Sequence, residues 1–449
     1  MTVVSGKRNA GLKPVWQAFD HLRGSMDSSR LGIVALALVF VRASQEDWRT
    51  CLRSAYGSDV ATLMWALRDA LGHEIEITTG ILDELPHVAL IEMAEAVDSA
   101  AAGLGNAATF RLLLEEFART SRNDAALTPD SVAAVLAGTI DLTSASSVYD
   151  PFCRTGELLI AATAQADTDS RRRAPLIYGT TPDNYSLLIA QMNLRLHHIE
   201  ASLDKQGIDK LVYDLPAGRR FSRILTNPPF NASHWTQHHP YHLRYGLPPK
   251  NNANFAWLQY AAQRLEPGGK AAVIMPNGAA VSTNPRERHI REQMVADGCV
   301  EALISLPPSL FSGTGISATI WLESPPGTER DKILFIDASN AGHMVSRTQR
   351  ELGDPEISEI VQAVESWRSG RLSQATGPAI RSVAVSLPDI RSRDYNLSPS
   401  IYMPPEHAET KRSASAPSIR ELVGRLEAEQ AAAIEKDSIA MHTLKKLER

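Results

Sequence analysis

Cysteine is scarce in this chain of 449 residues. Cys51, Cys153 and Cys299 are scattered, with no C-x-x-C pair, so neither a zinc site nor a disulfide framework is indicated. Three such thiols fit a reducing, cytoplasmic setting. Excess positive charge is also missing. The formal net charge is -5, which argues against a free-standing protein that grips DNA by bulk charge, because phosphate binding needs a basic surface. A local basic groove, or a partner that supplies the grip, stays compatible with it. The N-terminus "MTVVSGKRNAGLKP" lacks the apolar core of a signal peptide. The longest apolar run, "LGIVALALVFV" from Leu31 to Val41, is too short to cross a bilayer and predicts a buried helix. No internal repeat is visible. "FSGTGIS", with Gly313 and Gly315, is not followed by the Lys-Ser/Thr of a phosphate loop.

What is present is a change of texture near Thr128-Pro129. Before it, from about residue 14 to 120, apolar residues recur at three- and four-residue spacing, as in "VATLMWALRDAL" and "AATFRLLLEEFAR". That spacing predicts helices. After it, strand-like runs ("SSVYD", "PLIYG", "FSRILT", "KAAVIMP", "VEALISL") alternate with helical ones ("ELLIAATAQA", "SLLIAQMNLRLHH", "NFAWLQYAAQRL", "RERHIREQMVAD"). The alternation predicts an α/β fold whose mostly parallel sheet carries helices on both faces. In such sheets ligands bind beyond the carboxyl ends of the strands, at a switch point. The expected organisation is a helical N-terminal domain at 1–127, an α/β domain at 128–403, and a linker with a C-terminal helix at 404–449. "ETKRSASAPS" reads as the linker. Ser418 and Glu421 form a capping-box spacing ahead of a stripe containing Ile419, Leu422, Val423 and Leu426.

Two strand tips carry chemistry. In "SSVYDPFCRTGELLIAA" a strand ends at Asp150, a turn follows, and a helix begins near Glu157. A carboxylate at a strand tip beside a helix start suits a ligand with hydroxyl or ammonium groups. An Asp-Pro turn is also common punctuation. In "SRILTNPPFNASHW" a strand ends at Asn227-Pro228-Pro229-Phe230. The Asn227 amide oxygen is an acceptor, and the carbonyl of Pro228 can point the same way because the stiff backbone leaves it without an internal partner. Two acceptors can hold the two hydrogens of an exocyclic amine, and Phe230 can stack on the attached heterocycle. The plain alternative is a rigid loop. Two such tips in one sheet favour a site.

These motifs resemble those of amino-group DNA methyltransferases that use S-adenosyl-L-methionine. The rest of the chain narrows the resemblance to the modification (M) subunits of type I restriction–modification systems, an N6-adenine DNA methyltransferase family. "VWQAFDHLRGSMD", "LTPDSVAAVLA", "DPFCRTGELL", "AQMNLRLHHI", "NPPFNASHW", "YGLPPKNNANFAWLQYAAQRLEPGGKAAVIMPNG", "LISLPPSLFSGTGISATIWL", "LFIDASNAGHMVSRTQREL" and "RDYNLSPSIYM" follow in the family's order, from about Val15 to Met403.

The resemblance implies a Rossmann-like methyltransferase sheet and N6-methylation of adenine flipped out of double-stranded DNA. It implies assembly with a specificity subunit, a second M subunit and, in some systems, a restriction subunit. For the cofactor it implies Thr128 and Pro129, the turn Asp150, Pro151, Phe152, Cys153, Thr155 and Gly156, then Thr181 and Asp209. For the target base it implies Asn227, Pro228, Pro229 and Phe230. Four positions depart from the pattern: Arg154 replaces the first motif glycine, Thr181 the ribose-binding acid, Leu127 an aromatic residue, and Ser222 an acid before the fourth strand. Two alternatives follow: a cofactor-impaired scaffold of a modification or defence complex, and a protein or small-molecule amine methyltransferase. The histidines of "HWTQHHPYHLRYG" fit no compact zinc pattern, so a solvated loop is expected there and no metal site. Arg219, Arg220 and Arg223 are candidate phosphate contacts or plain surface charge.

Overall fold

A computed structural model describes residues 11–22, 28–56, 60–71, 86–120, 127–166, 174–207, 218–233, 235, 242–311, 315–371 and 379–404. Asp209, His234, His238, His239, Gly313 and the expected C-terminal helix lie outside the described residues.

The first part of the chain is helical, as its spacing predicts. Among the described residues, helices α1 (Lys13–Leu22), α2 (Ser28–Ser44), α3 (Trp48–Tyr56), α4 (Val60–Leu71), α5 (His87–Leu104) and α6 (Asn106–Thr120) precede the first strand. The run from Leu31 to Val41 is buried throughout and forms the centre of α2. Apolar on every side, it has to be enclosed on every side. Arg42 closes one end: its Nε lies 2.7 Å from Asp98, which also accepts from the Trp48 indole at 2.9 Å. Among the described residues no helix is long and apolar enough to cross a membrane.

The rest alternates. Helix α7 (Asp130–Thr139), β1 (Ser147–Asp150), α8 (Glu157–Ala166), β2 (Leu176–Thr181), α9 (Asn184–Leu196), β3 (Ala201–Lys205) and β4 (Phe221–Thr226) build one half of a sheet. The other half comes from α10 (Asn254–Gln263), β5 (Leu265–Pro276), α11 (Asn277–Val281), α12 (Pro285–Ala296), β6 (Val300–Ser305), β7 (Ala318–Glu323) and β8 (Lys332–Asp337). A short hairpin of β9 (His343–Met344) and β10 (Arg350–Glu351) follows, then α13 (Asp354–Arg368), β11 (Arg381–Ser386) and α14 (Leu387–Ser392). The nine-stranded order is β11-β8-β6-β7-β5-β4-β1-β2-β3. All pairs from β3 to β5 are parallel, β7 runs against both neighbours, and β11 runs against β8. The central strands β4, β6 and β7 are buried at every position, as strands covered on both faces must be.

The chain leaves β1 toward β2 and β3, then returns to lay β4 on the other side of β1. That reversal is a switch point, and it opens a crevice beyond the carboxyl ends of β1 and β4. The N-terminal helices reach the sheet through α9. Leu188 and Met192 of α9 belong to their hydrophobic cluster, and Arg195 lies 4.9 Å from the Phe40 ring centroid. The described residues up to Met403 fold as one unit.

Candidate functional site

Asp150 is the last residue of β1 and Thr226 the last of β4. Because β1 and β4 pair in parallel register, both tips arrive at the same edge. Asp150 is 3% exposed. Its Oδ1 accepts from the Thr226 hydroxyl at 2.8 Å and from the Phe152 N–H at 3.0 Å. Burial pushes its carboxyl up to about 7, against the pull of these two hydrogen bonds; Glu157 adds to the rise and the Arg154 cation opposes it. This carboxylate can take up or release a proton near neutrality according to what binds beside it.

The turn after Asp150 is built around Gly156, at φ +83. A Cβ there would sit in a conformation L residues resist and 3.1 Å from Leu194. Asn193 of α9 donates its amide to the Thr155 carbonyl at 2.7 Å and pins the turn. The Thr155 hydroxyl donates to Glu157 Oε2, and the Thr128 N–H donates to Glu157 Oε1 at 3.2 Å. The Thr128-Pro129 segment is thereby tied to the start of α8. Arg154 keeps a negative φ, so replacing glycine there brings no backbone strain. Cys153 is fully buried, its thiol pushed well up by burial. It packs against Gly179, whose added Cβ would lie 3.1 Å from the sulfur. Phe152 meets Trp257 edge-on at 4.8 Å. Pro151, Phe152 and Cys153 are all buried and shape the wall behind Asp150.

Asn227 follows Thr226 directly and is 9% exposed. Its amide nitrogen donates to the Thr128 hydroxyl at 3.1 Å. With the nitrogen held by the protein, the amide oxygen is the atom left for a donor. Pro228 is buried. The Pro229 carbonyl accepts from the Trp257 indole at 3.2 Å, so this carbonyl anchors the loop. Asn231 turns the chain at φ +51, and a reciprocal pair with Asn254 secures it: Asn231 N–H to Oδ1 and Asn254 Nδ2 to Oδ1, both 2.9 Å. Phe230 is half-buried and faces Phe311 edge-on at 6.4 Å.

Of the residues singled out in the sequence, Thr128, Thr155 and Asn227 are joined by hydrogen bonds that run through Glu157 and the Thr128 hydroxyl, Gly156 lies between Thr155 and Glu157, and Asp150 ends the adjacent strand with its own bonds to Thr226 and Phe152. Thr181 ends β2 at the same edge but is fully buried, and its hydroxyl is 3.3 Å from the Asp204 carbonyl on β3. Leu127 packs against the N-terminal helical cluster. Ser222 lies at the opposite end of β4. Its hydroxyl accepts from the N–H groups of Ser146 and Ser147 and donates to the Ser147 carbonyl at 2.7 Å, so it knits β4 to β1. The candidate phosphate contacts also start β4, away from Asn227. Arg223 spends its guanidinium on the Asp141 and Ser222 carbonyls, Arg220 reaches the Leu265 carbonyl, and Arg219 lies 4.7 Å from the Tyr178 ring centroid. Sequence reasoning missed Thr226, Asn193, Trp257 and the Asn231–Asn254 pair as supports. The asparagines of "NNANF" were the only visible hint.

Comparison with known proteins places this geometry in context. The profile of a family described as N-6 DNA Methylase matches residues 104–411. The methylase subunit of the type I restriction enzyme HindI from Haemophilus influenzae is 28% identical over 306 residues, covering 66% of this chain and 67% of that one. The MjaIX methylase subunit from Methanocaldococcus jannaschii is 27% identical over 290 residues, covering 62% of this chain and 51%, about half, of its own. Among solved structures, the methyltransferase subunit of a type I restriction-modification system from Streptococcus thermophilus superposes with a TM-score of 0.69. Its identity is 19%, and 88% of this chain and 100% of that one are covered. At that identity the likeness carries the fold alone.

Proposed function

The chain belongs to the N-6 DNA methylase family, and from that premise we propose that it moves a methyl group from S-adenosylmethionine to N6 of adenine in DNA, as the M subunit of a type I restriction–modification complex. One observation carries the reading. Asp150 and Asn227 stand at the tips of adjacent strands on the two sides of the switch point, and Thr128 bonds to the amide nitrogen of Asn227 while leaving its oxygen for a substrate amine.

The residues present fit the cofactor at its amino-acid end. A buried acid, Asp150, is available to its ammonium, the turn around Gly156 carries the Thr155 hydroxyl, and the separate Thr128-Pro129 segment brings the Thr128 N–H to the same place. When bound, S-adenosylmethionine supplies a methyl group on a sulfonium, a leaving group that departs neutral. The protein's own task is positioning. The Asn227 oxygen and the Pro228 carbonyl accept the two hydrogens of the adenine amine. Phe230 offers a ring face to a base turned out of the duplex. No protein base has to remove a proton before attack. The amine proton leaves afterwards to solvent, and Asp150, raised to about 7, is about half ionised at neutral pH until a bound cation favours its charged form.

The chain's charge of -5 fits a division of labour in which a specificity subunit reads the DNA, two M chains act on it and a restriction subunit joins in some systems. The apolar stripe that begins at Ile419 is proposed to dock on the specificity subunit. A second reading, a scaffold that has lost the cofactor, draws on Thr181, whose hydroxyl faces the Asp204 carbonyl where the family places an acid. Methyl transfer to duplex DNA by the chain together with its specificity subunit tests the first reading. Asn227→Ala should lower the rate at least about 100-fold and leave cofactor binding nearly unchanged in calorimetry. A variant that methylates at the wild-type rate would sink the assignment, and a wild-type chain with no affinity for S-adenosylmethionine would favour the scaffold.

A further inference from the structure

Glu157 has no part in the chemistry above, yet it sits in the middle of the site. It is the first residue of α8 and half-buried. Its two carboxylate oxygens take different donors: Oε1 the backbone N–H of Thr128, Oε2 the hydroxyl of Thr155. These donors come from separate segments, and Thr128 lies 29 residues before Glu157. They converge on one carboxylate beside Asp150. A ligand whose ammonium is met by Asp150 and which carries an α-carboxylate needs such a pair of donors next to that acid.

We propose that Glu157 occupies the carboxylate cradle of the cofactor pocket, so that the cofactor binds only when this side chain swings out. The inference rests on the methyl-transfer reading. Two carboxylates cannot share two donors, and their like charges repel at contact distance. The resting position is supported by the start of α8, where an acid is favoured. Displacing Glu157 releases the Thr128 N–H while the Thr128 hydroxyl still holds Asn227, so the target-amine side stays assembled. The plain alternative is that Glu157 serves only the helix start. In that case its removal lowers stability and does nothing for affinity.

Calorimetric titration of the full-length chain separates the two, with two probes: S-adenosylmethionine and its decarboxylated analogue, which lacks the α-carboxylate. Glu157→Ala should bind S-adenosylmethionine on the order of tenfold more tightly than the wild type, as expected when a competing charge-assisted contact is removed. The decarboxylated analogue should gain nothing. Glu157→Gln, which keeps an acceptor and loses the charge, should show a smaller gain for S-adenosylmethionine alone and serves if the alanine variant fails to fold. Equal changes for both probes, or no tightening in a variant that still melts cooperatively, would overturn the proposal. Failure of every form to bind either probe would overturn the methyl-transfer reading itself, and this inference with it.

Discussion

Replacing Thr226 by valine tests the coupling between the two strand tips. Valine has nearly the same shape and suits a strand, and Thr226 is 1% exposed, so the fold should tolerate it. What is lost is the 2.8 Å hydrogen bond to Asp150. A hydrogen bond to a charged group contributes about 1.5–3 kcal/mol. At 1.36 kcal/mol per pH unit, the Asp150 titration should move up by about one to two pH units from its present value of about 7. The sign follows from which form binds. On the methyl-transfer reading proposed above, the ionised carboxylate is the partner of the cofactor's ammonium, so affinity should fall as pH drops through the Asp150 value. In the wild type the fall is centred near 7; in Thr226→Val it should begin one to two pH units higher, at about 8 to 9. At neutral pH the variant should bind S-adenosylmethionine about 5- to 50-fold more weakly, converging on the wild type as the pH rises. Stability carries the opposite dependence. A carboxyl raised above its ordinary 3.8 favours the folded chain in acid and costs stability as pH climbs from about 4 toward 7. Calorimetric titrations between about pH 6 and pH 9 read the profile, with Thr226→Ser as the control that keeps the hydroxyl. An affinity ratio that does not change with pH would refute the argument, since it would mean that the hydroxyl only packs.

Two further outcomes are expected. Glu301 on β6 is 4% exposed; burial pushes its carboxyl up, but the two 2.8 Å contacts from Arg368 prevail, with Lys270 3.6 Å away, and hold it at about 2. This depressed value stabilises the fold above the ordinary carboxylate range and is lost as pH falls toward 2, so Arg368→Leu should cost about 3–5 kcal/mol at neutral pH, with the deficit shrinking in acid; thermal melts across pH check it. Deleting residues 413–449 should leave the melting temperature and cofactor affinity of the lone chain about the same and weaken capture of the specificity subunit in a pull-down, whereas a large drop in stability with capture intact would place that segment in the chain's own core.

Five of the nine strands, β1, β2, β4, β5 and β6, were legible as apolar runs between turns, whereas β7, β8 and β11 were not read as strands, although β7 and β8 are just as apolar and buried. β3 escaped notice: "ASLDK" is an edge strand, exposed at every second residue and at its end, so its polar side chains carry no strand signal. The two proposed acceptors were legible too, because Asp150 and Asn227 are polar residues directly after apolar runs, at strand tips where such sheets bind ligands. Their supports were not. A threonine ending a strand is what β-propensity selects in any case, and Thr226 reaches Asp150 only through the parallel register of strands 76 residues apart. Glu157 fits a helix start so well that its reach back to Thr128 has no local mark. The same limit governs the departures. Thr181 and Ser222 both read as lost acids, yet they weigh differently once paired. Ser222 bonds β4 to β1 at the end of the sheet away from the site, so its hydroxyl supports the fold and has no bearing on a ligand. Thr181 stands at the site's own edge with its hydroxyl toward the Asp204 carbonyl. Of the two losses, only the second falls where it can cost cofactor affinity.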